Sequence, residues 1–426
     1  MYGILECTSK SRVNGTGLPF RPFNPATPPN GSVHIVHSKR HKETHVDQWA
    51  KINPETDELM EIIGPVGEQE TETLVLRHLF TIGCKYPTYP VSEPPKMKCP
   101  TPYQAITVDG PTTLDRDDAL SIDETPDGIQ VGIHITDLTS QLSSDWLEWA
   151  RSRGSSAYWE GGSKPMLPPA LAHGSLSLNV GGTYSCISLL LEYDSSYTLL
   201  SSRMETDAEV MIRENTTYDR FQTHVWGNHF RKLSKKEDAT DWIAWAMIRY
   251  NLYLAIHYKG ILLRVQDQPD TLASYAYEGT HASIQSEPVM YSHGTSPIRR
   301  FADFHNQFVI KGIVSRPLRK DNLIALNARM EQVRQFHHRE TILNLAYQCK
   351  ETPMKMDAKV EVREDGRSIK LCSPLLPKPI WIPFSDVYYS EPICDYFRSE
   401  SDISYPVELI GIHKHGMASL RIRLLS

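Results

Sequence analysis

Between Val108 and Ile122 the chain reads VDGPTTLDRDDALSI, so that four aspartates, Asp109, Asp115, Asp117 and Asp118, fall within ten positions. Carboxylates this crowded repel one another, and a chain keeps them together cheaply only if they are fully solvated or share a cation. A solvated acidic loop is the plain reading of any D-x-D-D string. An EF-hand beginning at Asp115 would need Gly at its sixth position and Glu at its twelfth, where the sequence has Leu120 and Pro126, so that reading fails. A Mg²⁺ site for phosphoryl chemistry needs hard oxygen ligands gathered from a short segment, with positions left open for substrate and water. The string itself leaves the solvated loop and the Mg²⁺ site both standing.

The flanking sequence supplies rigid supports. AITVD (105–109) alternates like a strand, as do ALSID and GIQVGIHI, and Thr125-Pro126-Asp127-Gly128 between these two is turn chemistry, which predicts a hairpin. The aspartates then occupy one loop and the mouth of one strand. Alternation along that strand sends Asp117 and Asp118 to opposite faces. Further on, Ser234 with Glu237 reads as a capping box, with Gly260 closing a helix whose buried face carries Trp242, Ala246, Met247, Tyr250 and Leu254. Ser296 followed by Pro297 reads as an N-cap and first helical residue, with Gly312 as the stop. A long, mostly amphipathic helix is expected over 321–350.

Toward the ends the pattern changes. Residues 13–32 read as loop, followed by short apolar runs and a helix near 71–80, which together suggest a small β-rich domain. Six prolines in 86–102 mark a linker. From 357 onward KVEVRE, SIKLC, PIWIPF, PVELIGI and ASLRIRLL predict a small barrel or sheet. The expected division is 1–95 with its linker to 102, then 103–352, then 353–426.

Composition narrows the function classes. The 426 residues carry a net charge of −6, which argues against coating nucleic acid with bulk positive charge but leaves room for a local basic channel. Residues 291–339 hold nine Lys or Arg against three acids, an excess that suits one wall of such a channel or, equally, a solvated helix face. Seven cysteines (Cys7, Cys84, Cys99, Cys186, Cys349, Cys372, Cys394) show no C-x-x-C spacing and read as free thiols in a reducing, cytoplasmic compartment. No signal-peptide core and no membrane-length apolar run is present, so the sequons at Asn14, Asn30 and Asn215 read as incidental.

The aspartate stretch resembles the signature loop of the RNase II / RNase R family of 3′-to-5′ exoribonucleases, which carry an RNB domain. Further resemblances follow in the family's order: GIHITDL (132–138), RSRGSSAYW (151–159), PMLPPALAHGSLSLN (165–179) and YSHGTSPIRRFADF (291–304). They cover residues 100–350 well and the ends loosely, where the family carries OB-type barrels. The implied fold is α+β, an RNB-type catalytic domain with a mixed sheet and packed helices between small OB-like β-barrel domains.

The resemblance implies Mg²⁺-dependent hydrolysis of single-stranded RNA from its 3′ end, releasing 5′-nucleoside monophosphates, with two Mg²⁺ ions for which Mn²⁺ could substitute. It assigns Asp109, Asp115, Asp117 and Asp118 to metal, makes Asp117 and Arg299 catalytic, and gives RNA contacts to Tyr158, Arg299 and Arg300. Tyr158 would stack on the terminal base, which tolerates any base identity. His134 and His293 read as structural. No membrane association is implied, and a monomer is expected.

The match breaks in places. The helix segment WIAWAMIRYN (242–251) resembles one that usually carries a carboxylate, where this chain has Ala244 and Trp245, and another family glutamate is replaced by His338. Glu340 is near but on another helix face. The connection before TSPIRR is short and the N-terminal portion has room for one OB-type barrel. Two further readings therefore stand beside the exoribonuclease: an RNA-binding protein on the same fold without catalysis, and a phosphoesterase acting on small substrates.

Overall fold

The computed structural model describes every residue except 10–16, 24–32, 38–44, 84, 97, 270, 363–366, 389–403 and 426. Asn14, Asn30, Cys84 and Cys394 lie outside the described residues. The chain forms two compact units, one of Met1–Cys84, Tyr158–Gly162 and Arg334–Ser426, the other of Lys85–Ala157 and Ser163–Val333.

The second unit is built on a closed five-stranded barrel. Its strands run, in spatial order, Thr183–Asp194, Leu199–Thr217, Tyr103–Asp109, Asp118–Thr125 and Gly128–Thr136, which pairs back onto the first. The hairpin expected at Thr125–Gly128 forms, with Thr125 facing Gly128. One contact in the barrel is parallel, Leu199–Thr217 against Tyr103–Asp109, and it sets Thr217 opposite Asp109. On one face Ile106, Val108, Leu120, Ile122 and Ile133 form a core with Trp242, Ala246, Tyr250 and Leu254 of the helix Ala239–His257. A second core cluster gathers Ala105, Ala119, Cys186 and Ala208 with Leu178, Val210 and Ile212. The buried His134 lies between the hydroxyls of Ser121 (2.9 Å) and Ser188 (2.7 Å), in keeping with a structural role.

The first unit carries two sheets. The N-terminal one orders His34–His37, Gly17–Pro22, Tyr2–Leu5, Gln48–Ile52 and Leu59–Pro65, all antiparallel, and the helix Gln69–Leu79 follows it. The C-terminal one orders Ile380–Pro383, Ser368–Cys372, Met354–Val362, Ser404–Lys414, Met417–Leu424 and Val387–Tyr388. Glu72, fully buried, accepts from the Gly67 N–H (3.1 Å) and the Ala418 N–H (2.7 Å), so a helix carboxylate joins the two ends of the sequence within this unit. The helix Lys320–Gln348 fulfils the expectation for 321–350.

Three local expectations are corrected. Gly17–Pro22 is a strand rather than loop, because Leu18 and Phe20 are buried and both its edges are paired, and packing outweighs turn propensity. Ser234 does not open a capping box. It ends the helix Gly227–Ser234, Lys235 turns the chain with φ 58°, and the next helix is capped by Asp238, whose carboxylate accepts from the Thr240 N–H at 2.7 Å. Ser296-Pro297 does not start a helix either. The helix is Phe301–Ile310, and 297–299 form a turn before it. The backbone there is claimed by other partners: Ser156 N–H donates to Arg299 O (2.9 Å) and Phe301 N–H to Gly154 O (2.9 Å), a pairing that helical dihedrals from 297 onward would break.

Candidate active site

The carboxylates occupy one rim of the barrel because of how its strands end. Asp109 is the last residue of one strand and Asp118 the first of the next, with residues 110–117 between them. That loop is fixed from below. The Ser177 hydroxyl receives the Arg116 N–H (3.0 Å) and donates to Leu114 O (2.7 Å), while Leu178 N–H donates to Arg116 O (3.0 Å). Asn215 ties the supporting segment to the barrel, donating to Thr107 Oγ1 (2.8 Å) and Leu178 O (3.0 Å) and accepting from Val180 N–H (2.8 Å). Its side chain is wholly engaged in this scaffold.

Asp117 is the buried centre, 2% exposed. Its Oδ1 accepts the Ile298 N–H at 2.7 Å and its Oδ2 faces Arg299 Nε at 3.3 Å. The sequence separates these partners by 181 and 182 positions, so two of the recognised motifs converge on one carboxylate. Burial pushes the Asp117 carboxyl well above its ordinary range; Arg299 and the Ile298 N–H oppose that, while Asp115 and Asp118 add to it. Burial and then neighbouring Asp109 push Asp118 up to about 7. Asp109 is also raised, by burial against the pull of Arg116 and Arg299, with half-buried Asp115 adding to it. Arg116 Nε stands 4.0 Å from Asp109 Oδ2, which is buried and receives no hydrogen bond.

These properties fit a hard divalent cation. An orphaned carboxylate oxygen beside a second carboxylate that resists ionisation is the electrostatic state that added positive charge relieves. Among the described residues no three His, Cys, Asp or Glu side chains form a ready-made cage. Mg²⁺ does not require one, because it keeps several waters and is held by one or two carboxylates together with substrate phosphates.

The other expected site residues are distributed as follows. Arg299 keeps 49% of its side chain exposed. Arg300 turns away and binds Asp303 Oδ1 (2.8 Å) and Ser296 Oγ (3.3 Å), while Asp303 also accepts the Ser296 N–H (2.8 Å). Tyr158 belongs to the first unit, 42% exposed; its N–H donates to His337 Nε2 (3.1 Å) and its ring stacks on His337 with centroids 6.3 Å apart. Buried Glu340 accepts from the Glu160 N–H (2.7 Å). Trp245 packs on the barrel core and Ala244 is exposed. Half-buried His293 shares a hydrogen bond between its Nδ1 and the Tyr275 hydroxyl at 2.8 Å, as a structural histidine would. Sequence reasoning missed Ser177, Asn179, Asn215 and the Ile298 amide. Serine and asparagine carry no spacing signal, and a backbone N–H carries no side-chain signal at all.

Comparison with known proteins gives a consistent picture. Residues 101–259 match the RNB domain. RNase R of Mycoplasma genitalium, in complex with ribose-methylated single-stranded RNA, superposes with a TM-score of 0.63 at 12% identity, covering 99% of this chain and 100% of that one. The same protein with double-stranded RNA gives 0.63 at 13% identity, over 100% and 95% of the two chains. Yeast Ssd1, a pseudonuclease, gives 0.68 at 12% identity, over 100% of this chain and 82% of that one. No curated protein sequence matches the chain. At these identities the likeness is one of fold.

Proposed function

We propose, from the premise that residues 101–259 form an RNB domain in a chain with the RNase R fold, that this protein is a Mg²⁺-dependent 3′-to-5′ exoribonuclease of single-stranded RNA, releasing 5′-nucleoside monophosphates. The observation that carries the reading is the junction at Asp117, where a buried carboxylate meets the Ile298 amide and Arg299 beside the orphaned oxygen of Asp109. Burying one carboxylate beside two others is costly, and a bound cation would offset that cost.

Asp109, Asp115, Asp117 and Asp118 would hold the cations, with Mn²⁺ able to substitute for Mg²⁺. When bound, such cations acidify an attacking water and neutralise the leaving 3′-oxygen. The remaining steps belong to the chain. The Ile298 N–H holds Asp117 in one orientation, which fixes the direction of its second oxygen. Arg299 offers its guanidinium to the non-bridging phosphate oxygens, where charge develops in the transition state. Arg300 acts through the backbone, since its pairing with Asp303 shapes the turn that presents Arg299. Tyr158 supplies a stacking surface for a terminal base.

The same reading makes 1–95 and 353–426 OB-like modules around a catalytic 103–352, and the protein a monomer. The free thiols of Cys99, Cys186, Cys349 and Cys372 suit a reducing, cytoplasmic setting. No helix among the described residues is long and apolar enough to cross a membrane.

The second reading, an RNA-binding protein without catalysis, is favoured by the fold shared with Ssd1 and by Ala244, Trp245 and His338 in place of family acids. One assay separates the two. With 5′-labelled single-stranded RNA and Mg²⁺, the exoribonuclease shortens the label one nucleotide at a time from the 3′ end, and EDTA stops it. Asp117→Asn abolishes shortening while RNA binding persists. Turnover near wild type in that variant would sink the assignment, and binding without shortening in the wild type would establish the alternative.

A further inference from the structure

Within the acidic loop one residue has the opposite charge. Arg116 sits between Asp115 and Asp117, and its side chain is only 20% exposed. Three contacts hold it there. Its N–H donates to Ser177 Oγ (3.0 Å), its carbonyl accepts from Leu178 N–H (3.0 Å), and its guanidinium donates through Nη1 to Asn179 Oδ1 (3.0 Å). Asn179 is itself fixed, since its N–H donates to the Tyr184 hydroxyl at 3.0 Å. The result is a guanidinium whose Nε stands 4.0 Å from Asp109 Oδ2, close enough for charge attraction and too far for a hydrogen bond.

We infer that Arg116 is a built-in counter-cation that competes with a divalent metal ion for Asp109 and so sets the metal affinity of the site. The inference rests on the metal reading given above and adds to it a residue that opposes loading. Two positive charges facing one carboxylate repel, so a bound divalent ion pays for Arg116's presence each time it loads. In the ion's absence Arg116 relieves the repulsion among the aspartates and stabilises the loop. The oxygen it faces is left without a hydrogen bond, so the ion finds a ligand atom still available. Tight pinning by Asn179 keeps the guanidinium from closing the gap and sealing the site.

The test is Mn²⁺ binding to the full chain, read by the loss of the free-ion electron paramagnetic resonance signal and requiring no turnover. Arg116→Gln keeps a donor for Asn179 and removes the charge. It is expected to tighten Mn²⁺ binding at least about tenfold, the order of the repulsion between a unit charge and a divalent ion a few ångströms apart even when water screens it fully. Arg116→Lys keeps the charge and is expected to stay within about twofold of wild type on the same electrostatic ground. In Mn²⁺-free buffer Arg116→Gln should melt below wild type, and saturating Mn²⁺ should remove the difference. Weaker Mn²⁺ binding in Arg116→Gln, or affinity equal to wild type, overturns the inference while leaving the metal reading intact. Failure of wild type and Arg116→Gln alike to bind Mn²⁺ overturns both.

Discussion

Asp117 is held by two donors of different kinds, and they should fail differently. The Ile298 amide is backbone and survives any substitution at Arg299, so Asp117 keeps its orientation when the guanidinium goes. Arg299→Ala should therefore fold and bind RNA yet lose about 10²–10³ in turnover, the size expected for removing one preorganised charge donor. Single-turnover rates under saturating enzyme check this, and a fall in affinity without a fall in rate would make Arg299 a binding residue only. On the exoribonuclease proposal, Ala244, Trp245 and His338 stand where the resemblance implies acids that hold the 3′-terminal nucleotide. Glu340 cannot stand in, because it is buried and accepts from the Glu160 N–H. Each lost charge-assisted bond is worth about 1.5–3 kcal/mol, or roughly one to two powers of ten. RNA ending in a 2′-deoxynucleotide at its 3′ terminus should accordingly be trimmed within about tenfold of the all-ribose strand on that scale. Matched time courses with a trap for released enzyme measure it, and strong rejection of the deoxy end would show that another group reads the 2′-hydroxyl.

At the scale of elements, the site is a loop made rigid by a neighbour. Ser177→Ala leaves the Arg116 N–H without its acceptor and Leu114 O without its donor. The expected cost is about 1–2 kcal/mol in stability, together with slower cleavage and unchanged RNA affinity; denaturant titration and rate measurements on one preparation separate the effects. This arrangement also shows what the sequence makes legible. The strands Tyr103–Asp109, Asp118–Thr125 and Gly128–Thr136 were readable because alternation and turn chemistry are local. The buried face of Ala239–His257 was readable for the same reason. The helix starts at Ser234 and Ser296 were not, because each serine had a competing non-local or successor partner: Asp238 four positions on, and the 154–156 segment that pairs with 299–301. The carboxylates could be named from their type and order, whereas their scaffold of Ser177, Asn179 and Asn215 could not. Asn215 read as an incidental sequon, and it is a bridge between a barrel strand and the loop support.

Across the whole molecule, stability should depend on acid in a traceable way. His134 is fully buried between two serine hydroxyls, and burial lowers it from 6.5 to about 3. A depressed folded-state value means that the unfolded chain takes up this proton first. The associated stability is present above pH 6.5 and is lost progressively as pH falls toward 3. Between pH 7 and 5 that amounts to about 2 kcal/mol, so His134→Gln should shrink the acid-induced drop in unfolding free energy by roughly that much. Urea titrations at the two pH values measure it, and an unchanged drop would mean that the imidazole is not buried neutral. In the first unit, Glu72→Leu strands the Gly67 and Ala418 amides and should destabilise by about 2–4 kcal/mol. Its chemical unfolding midpoint should fall whether or not RNA is cleaved.

The parallel contact that closes the barrel has a further consequence, one of timing. Asp109 lies opposite Thr217, and Asp117 is completed only by Ile298. A ribosome making this chain emits the four aspartates first; the rim that gathers them waits for the strand ending at Thr217, and the last donor, at Ile298, waits longer still. Pairings this far apart in sequence form late in folding, after the loop-closure cost is met. A chain that has not yet emitted Ile298 therefore lacks the donor that completes Asp117, however early its aspartates were made.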